Sequence, residues 1–182
     1  DSFDAATRGL PGERSVANSA AILAWPASHG DWVRPGLMLY GASPFPRGSG
    51  ADVGLRPVMT LQSEVIAVKT VEAGETVGYG GAWRAARRTS MAVVAVGYGD
   101  GYPRSARPGT PLLIDGRRAP LIGRVSMDMI TADVTGVPGV RVGASVELWG
   151  AMLPIEEVAR SADRIPYELT CGVTQRAPRV VR

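Results

Sequence analysis

The sequence holds one cysteine (Cys171), one histidine (His29) and one lysine (Lys69) in 182 residues. A lone cysteine closes no internal disulfide, and one cysteine with one histidine leaves a zinc site two ligands short. The usual burial habits of the two types make Cys171 a buried filler and His29 a solvated loop residue in expectation. No apolar run approaches the roughly 20 residues of a membrane-spanning helix. The chain also opens on no signal peptide, so a cytoplasmic protein away from any membrane is expected. Aromatic residues make up only 6% of the chain and do not interleave with Arg84, Arg87, Arg88, Arg117 or Arg118. That pattern offers no stacking platform for nucleic acid. The net charge of +3 is a small excess of arginine, read as solvated surface.

What is present is ordinary globular composition, 45% apolar and 20% charged, in a length sufficient for one full core or for a domain and a piece of another. The tetrapeptide Val-Gly-Tyr-Gly occurs twice, at 77–80 and 96–99. Between the copies, 91–96 is apolar on both faces and reads as a buried strand. Each tyrosine is thereby placed on a turn at a strand end, in bare backbone that a ligand can approach closely. A ring covering a hairpin end is the alternative for an isolated copy.

Two different grammars divide the chain. Residues 1–46 read as strand (14–19), helix (20–24) and interrupted strand (32–40), the unit of a parallel α/β sheet. Two such units close no barrel, so this segment is expected to be the end of a domain whose beginning is missing. Residues 47–56 are rich in glycine and proline and read as a linker. From 57 to 182 the pattern is of short strands: 58–71, 91–96, 111–114, 119–125, 129–134 and 145–149. Glu72-Ala-Gly-Glu75 is a tight turn, and Asp115-Gly116 signals a two-residue hairpin. One helix is expected, at 154–162, with Glu156 and Glu157 in its first turn. The tail from Ile165 to Val181 is expected to be extended. The predicted fold is mainly β: a barrel-like C-terminal domain preceded by the last strand and helix units of a TIM-like α/β barrel.

Seven motifs stand in one order along the chain. They are Ala17-Asn-Ser-Ala20, Trp32-Val-Arg-Pro-Gly36, Leu39-Tyr-Gly-Ala-Ser-Pro44, Val77-Gly-Tyr-Gly80, Val96-Gly-Tyr-Gly-Asp-Gly-Tyr-Pro-Arg104, Gly123-Arg-Val-Ser-Met-Asp128 and Ile165-Pro-Tyr-Glu168. Together they resemble the C-terminal half of bacterial alanine racemase, and the resemblance covers essentially the whole chain. It implies a homodimer of two-domain subunits that bind pyridoxal 5'-phosphate and interconvert L- and D-alanine. Inverting an α-carbon requires the cofactor to hold the carbanion as a Schiff base, with a base on each face. By the resemblance one base is the cofactor-bearing lysine and the other is a tyrosine from the partner subunit, to which Tyr79 corresponds. A free phenol, with a pKa of about 10, is a poor base at neutral pH, so nearby positive charge or hydrogen bonds to the phenolate are required.

The remaining roles follow from the same resemblance. Arg34 corresponds to the arginine facing the pyridine nitrogen, a position where a guanidinium leaves the ring nitrogen unprotonated. Ser19, the backbone N–H groups of Gly36 and Leu37, and Tyr167 correspond to phosphate ligands. Ser19 also reads as a helix N-cap, and Tyr167 as a core aromatic. Met127 corresponds to the residue whose backbone N–H meets the substrate carboxylate, and Tyr98 to the second tyrosine narrowing the entrance. Arg104, Arg124 and Ile165 correspond to the approach corridor, where cations attract a carboxylate. No position matches the anchoring lysine, since Lys69 lies in an alternating strand and reads as surface. A fragment of a racemase is therefore expected, inactive alone. A broad-specificity racemase and a non-catalytic β domain remain open. A decarboxylase on the same plan would need a cofactor-side cysteine, and Cys171 follows the Tyr167 motif instead.

Overall fold

A computed structural model describes residues 2–181; Asp1 and Arg182, the outer bounds of the two expected domains, lie outside the described residues. The helices are α1 (Ser2–Ala6), α2 (Ser19–Ala24), α3 (Ile155–Ser161) and α4 (Pro166–Gly172). The strands are β1 (Ser15–Asn18), β2 (Trp32–Arg34), β3 (Leu61–Val71), β4 (Thr76–Val77), β5 (Trp83–Arg84), β6 (Thr89–Val94), β7 (Pro111–Ile114), β8 (Arg117–Ile122), β9 (Ile130–Asp133) and β10 (Ser145–Trp149).

Six antiparallel strands close a barrel in the order β10, β3, β6, β9, β8, β7, with β10 returning to β7. The period-2 pattern of β3 explains how it begins. Leu61 and Val65 face inward and are buried in the barrel core, while Gln62, Glu64, Ile66 and Val68 are exposed; Val71, beyond the register shift, is buried in a second apolar cluster with Met91 and Ile122. This long strand serves two neighbours, pairing with β10 through 61–64 and with β6 through 65–71. A register shift between Val65 and Ala67 bends it from one partner toward the other, as barrel closure requires. Leu112, Ile114, Leu121, Val146, Leu148 and Trp149 fill the interior. Val158 and Ala159 of α3 are buried in the same core.

The mainly-β fold expected from the sequence is present, and so is the parallel β1–β2 pair flanking α2. Asp115 and Gly116 both take positive φ and join β7 to β8 as a tight hairpin, as expected. Several local expectations are corrected. The tail is not all extended, because 166–172 form α4. Pro166 occupies the first turn, where a missing N–H costs nothing, and buried Leu169 anchors the helix. The second strand of the first segment ends at Arg34, and 37–40 form a 3-10 turn instead. Cys171 is exposed, not a buried filler. His29 is half-buried, with Nε2 3.0 Å from the Ile22 carbonyl, rather than solvated. The ribbon β4–β5 and helix α1 are additions that the sequence reading did not anticipate.

Candidate functional site

The first glycine-bracketed tyrosine sits at the tip of the ribbon. β4 and β5 pair Thr76 with Arg84 and Val77 with Trp83, and the 3-10 turn Tyr79–Gly81 follows β4. Val77 and Ala85 pack against Val71, Met91 and Ile122, which roots the ribbon on the barrel. Gly78 has φ +81, and a Cβ there would lie 2.7 Å from the Arg124 amide nitrogen. Only bare backbone can lie that close, so the ribbon rests directly on the 123–124 segment. The Tyr79 ring is left pointing outward, 68% exposed.

The second copy follows β6. The Gly97 amide donates to Asp100 Oδ2 at 2.9 Å, which curls the turn. From the same turn, the amide of Tyr98 donates to the Ser126 carbonyl at 3.0 Å and that of Gly99 to the Met127 carbonyl at 2.9 Å. A Cβ at Gly99 would stand 2.3 Å from a guanidinium nitrogen of Arg176. That guanidinium reaches Asp100 Oδ1 at 3.2 Å through Nε and Asp128 Oδ1 at 2.5 Å. The hydrogen bond to Asp128 first, and the charge of Asp100 next, raise the pKa of Arg176 above its ordinary value. Tyr98 is 42% exposed and Met127 51%.

These two turns meet on the loop 123–129. An open cleft of about 420 Å³ runs between the ribbon tip and the barrel wall, lined by Tyr79, Arg124, Ser126 and Lys69. The Arg124 guanidinium comes within 3.8 Å of where a Cβ on Gly80 would stand, so a cation lies against the Tyr79 turn. Lys69 is exposed on β3, as expected, yet it faces this same cleft. This cleft thus presents one phenol and two cations outward, and the half-exposed Tyr98 stands on a second turn fastened to the same loop. Such a surface can hold an anion and exchange a proton with a group presented from outside.

A second group of the expected residues gathers around β1 and β2. Ser19 is not the helix N-cap; Asn18 is, its Oδ1 accepting from the Ala21 amide at 3.0 Å. Ser19 is buried and its Oγ accepts from the amides of Gly36 at 2.9 Å and Met38 at 3.4 Å. With its lone pairs so engaged, the hydroxyl hydrogen remains to be donated. Leu37 is buried beside it at the start of the 3-10 turn. Arg34 lies back across β1, donating to the Ser15 carbonyl at 2.5 Å, to Ser15 Oγ at 3.0 Å and to the Val16 carbonyl at 3.4 Å.

Among the described residues, no hydrogen bond or ion pair joins Ile165, Tyr167 or Arg104 to either group. Ile165 and Tyr167 open α4 with exposed side chains. Arg104 lines a shallow cleft with Arg164 and Glu168, which pair at 2.9 Å. Among the described residues, no hydrogen bond or ion pair joins the Ser19 group to the Tyr79 group. Sequence reasoning gave no role to Arg176, whose partner Asp128 is 48 residues away, and no local pattern signals that contact.

Comparison with known proteins bears on the family and the fold. The family model described as "Alanine racemase, C-terminal domain" matches residues 58–181, and "Alanine racemase, N-terminal domain" matches residues 1–44. The alanine racemase of Nitrosococcus oceani is 57% identical over 168 residues, 92% of this chain and 47% of that protein. The crystal structure of biosynthetic alanine racemase from Pseudomonas aeruginosa superposes with a TM-score of 0.96 at 50% identity, covering 98% of this chain and 50% of that one. An alanine racemase from Bartonella henselae, solved with covalently bound pyridoxal phosphate, gives a TM-score of 0.85 at 30% identity, covering 98% and 49%. The chain spans about half the length of the curated relatives it matches.

Proposed function

The chain belongs to the alanine racemase family, and from that premise we propose that it is the C-terminal half of a pyridoxal-phosphate-dependent subunit interconverting L- and D-alanine. In this reading residues 57–182 form the β domain, 1–46 complete a partner-facing α/β barrel, and 47–56 connect them. Two subunits pair so that each β domain reaches the other's cofactor. The observation that carries the proposal is the outward presentation of Tyr79 and Tyr98 on two turns that both rest on the loop bearing Met127. Both phenols are open to a group presented from outside the domain.

The residues present fit a phosphorylated pyridine. Ser19 would donate its hydroxyl hydrogen to a phosphate oxygen beside the Leu37 amide, while the Gly36 amide, already given to Ser19 Oγ, holds that hydroxyl in place; the exposed Tyr167 would add a second hydroxyl. Arg34, held across β1 by its bonds to Ser15 and Val16, would set a guanidinium rather than a carboxylate toward the ring nitrogen. Bound pyridoxal phosphate would supply the electron sink that lets an α-proton leave. The chain's own residues then divide the work. Tyr79 holds or returns the proton on one face of the α-carbon. The Met127 amide orients the substrate carboxylate, and Tyr98 narrows the space around the methyl group. Arg104, Arg124 and Ile165 border the approach, where the two cations attract the substrate carboxylate.

The test is a joined enzyme, this chain placed behind the N-terminal half of one of the relatives above. It is expected to show cofactor absorbance and to racemise alanine. Tyr79→Phe in that enzyme should lower proton removal from L-alanine by about 10²–10⁴-fold, the usual share of a general base, while D-alanine still exchanges its α-proton with deuterated solvent. Unchanged turnover in the variant would overturn the role given to Tyr79.

A further inference from the structure

Three segments distant in sequence converge behind the face that carries Tyr98 and Met127. The turn 97–101 is fastened to the loop 126–129 by the two backbone hydrogen bonds from Tyr98 and Gly99. The stretch after α4 then closes over both. Thr174 donates its amide to the Asp100 carbonyl at 3.1 Å and its hydroxyl to the Gly99 carbonyl at 2.8 Å. Arg176 completes the junction by taking one carboxylate from each segment, Asp100 and Asp128. The two carboxylates flank the residues of interest directly, Asp100 two positions after Tyr98 and Asp128 next to Met127.

We propose that Arg176 is a positioning residue, its guanidinium clamping the turns of Tyr98 and Met127 in one fixed relation through Asp100 and Asp128. The physical case rests on what happens without it. Asp100 and Asp128 carry like charges on adjacent loops, and removing the shared cation leaves them to repel. Asp100 also accepts the Gly97 amide, so a shift of its carboxylate loosens the curl of the turn itself. Gly99 has no side chain with which to compensate, because the guanidinium occupies that space. The Met127 amide and the Tyr98 ring would then lose their mutual alignment, although neither touches Arg176 through its side chain in the assigned roles.

The significance for substrate rests on the function proposed above; the clamp itself does not, and the test separates them. Amide hydrogen exchange of the 182-residue chain is the first measurement. In Arg176→Met the amides of Tyr98, Gly99 and Thr174 are expected to exchange at least about tenfold faster, while those of β6 and β9 keep their protection. Asp128→Asn breaks the same ion pair from the other side and should give the same pattern, and Arg176→Lys an intermediate one. In the joined enzyme Arg176→Met should raise KM for alanine about tenfold, roughly one hydrogen bond's worth of alignment, with kcat within about twofold. Unaltered exchange in both Arg176→Met and Asp128→Asn would overturn the clamp, as would equal acceleration throughout the barrel strands. Faster local exchange with unchanged KM would overturn the positioning role. Should the unsubstituted joined enzyme fail to racemise while the exchange pattern appears, the proposed function fails and the clamp stands.

Discussion

The barrel and the segment before it treat their tryptophans in opposite ways. Trp149 is fully buried, stacked on Tyr102 with ring centroids 6.1 Å apart, whereas Trp25 and Trp32 are each 60% exposed. The difference comes from closure. Six antiparallel strands that return on themselves leave no unpaired edge and give every inward side chain an apolar neighbour. A parallel pair such as β1–β2 has two edges, and parallel sheets are ordinarily covered on both faces. Val33, Leu39 and Tyr40 are exposed there alongside the tryptophans. One region is built to hold itself together, and the other presents a hydroxyl, backbone amides and a guanidinium.

The sharpest way to break this comparison is to attack the barrel's interior. Trp149→Ala should destabilise the chain by about 3–5 kcal/mol, the range for emptying a large aromatic site in a packed core. Urea denaturation followed by far-UV circular dichroism would read it as a lower midpoint. Some of the loss is offset, because the indole N–H has no partner among the described residues and its removal relieves a buried orphan. Burial likewise raises the pKa of the Tyr102 phenol well above its ordinary value, so that ring stays neutral through any physiological pH. The same substitution at Trp32 is expected to move the midpoint hardly at all. A large effect at Trp32 would show the first segment to be a stabilising part of the core.

A smaller effect is expected where the two regions meet. Glu156 of α3 is buried, and its Oε1 accepts the Ser43 amide at 2.7 Å and the Gly50 amide at 2.8 Å. Glu156→Ala orphans two buried N–H groups and should cost about 2–4 kcal/mol, less if water enters. Glu156→Gln keeps an acceptor oxygen and should cost less. Limited proteolysis near 41–54 would report the same loosening. If residues 47–56 behaved as a free tether, neither variant would change the cleavage rate.

How much of this was legible depends on the distance over which each contact acts. The strands of the barrel show in the sequence because alternation is local, and so does the Asp115-Gly116 hairpin. Tyr79 and Tyr98 stand at strand ends, as their bracketing glycines suggested. Helix α4 was missed because Pro166 reads as a breaker, and its tolerance in a first turn depends on where the helix starts. Glu156 reads as a favourable first-turn charge, and only the folded chain shows it accepting from a segment more than 100 residues earlier. Arg176 is invisible for the same reason. The candidate site residues were nameable through family resemblance, since nothing in Trp32-Val-Arg-Pro-Gly36 alone tells a ring-facing arginine from a surface one.

The smallest effect belongs to the neighbour of that buried glutamate. Glu157 takes a two-pronged ion pair from Arg118 of β8 at 2.6 and 2.8 Å, joining the helix to the barrel wall at a partly exposed site. The hydrogen bond from Arg118 outweighs the opposing effect of burial and holds the carboxyl below its ordinary value near 4.5. A carboxyl depressed in the folded state stabilises above its unfolded pKa, and that contribution fades as pH falls through the folded value. Solvent screening keeps it below about 1 kcal/mol. Glu157→Gln should therefore lower stability by about 0.5 kcal/mol at pH 7, and the gap between variant and parent should close in acid well below pH 4.5, where both side chains are neutral. Urea midpoints at the two pH values measure it. An equal penalty at both would mean that Glu157 holds α3 to the barrel by packing and shape rather than by its charge.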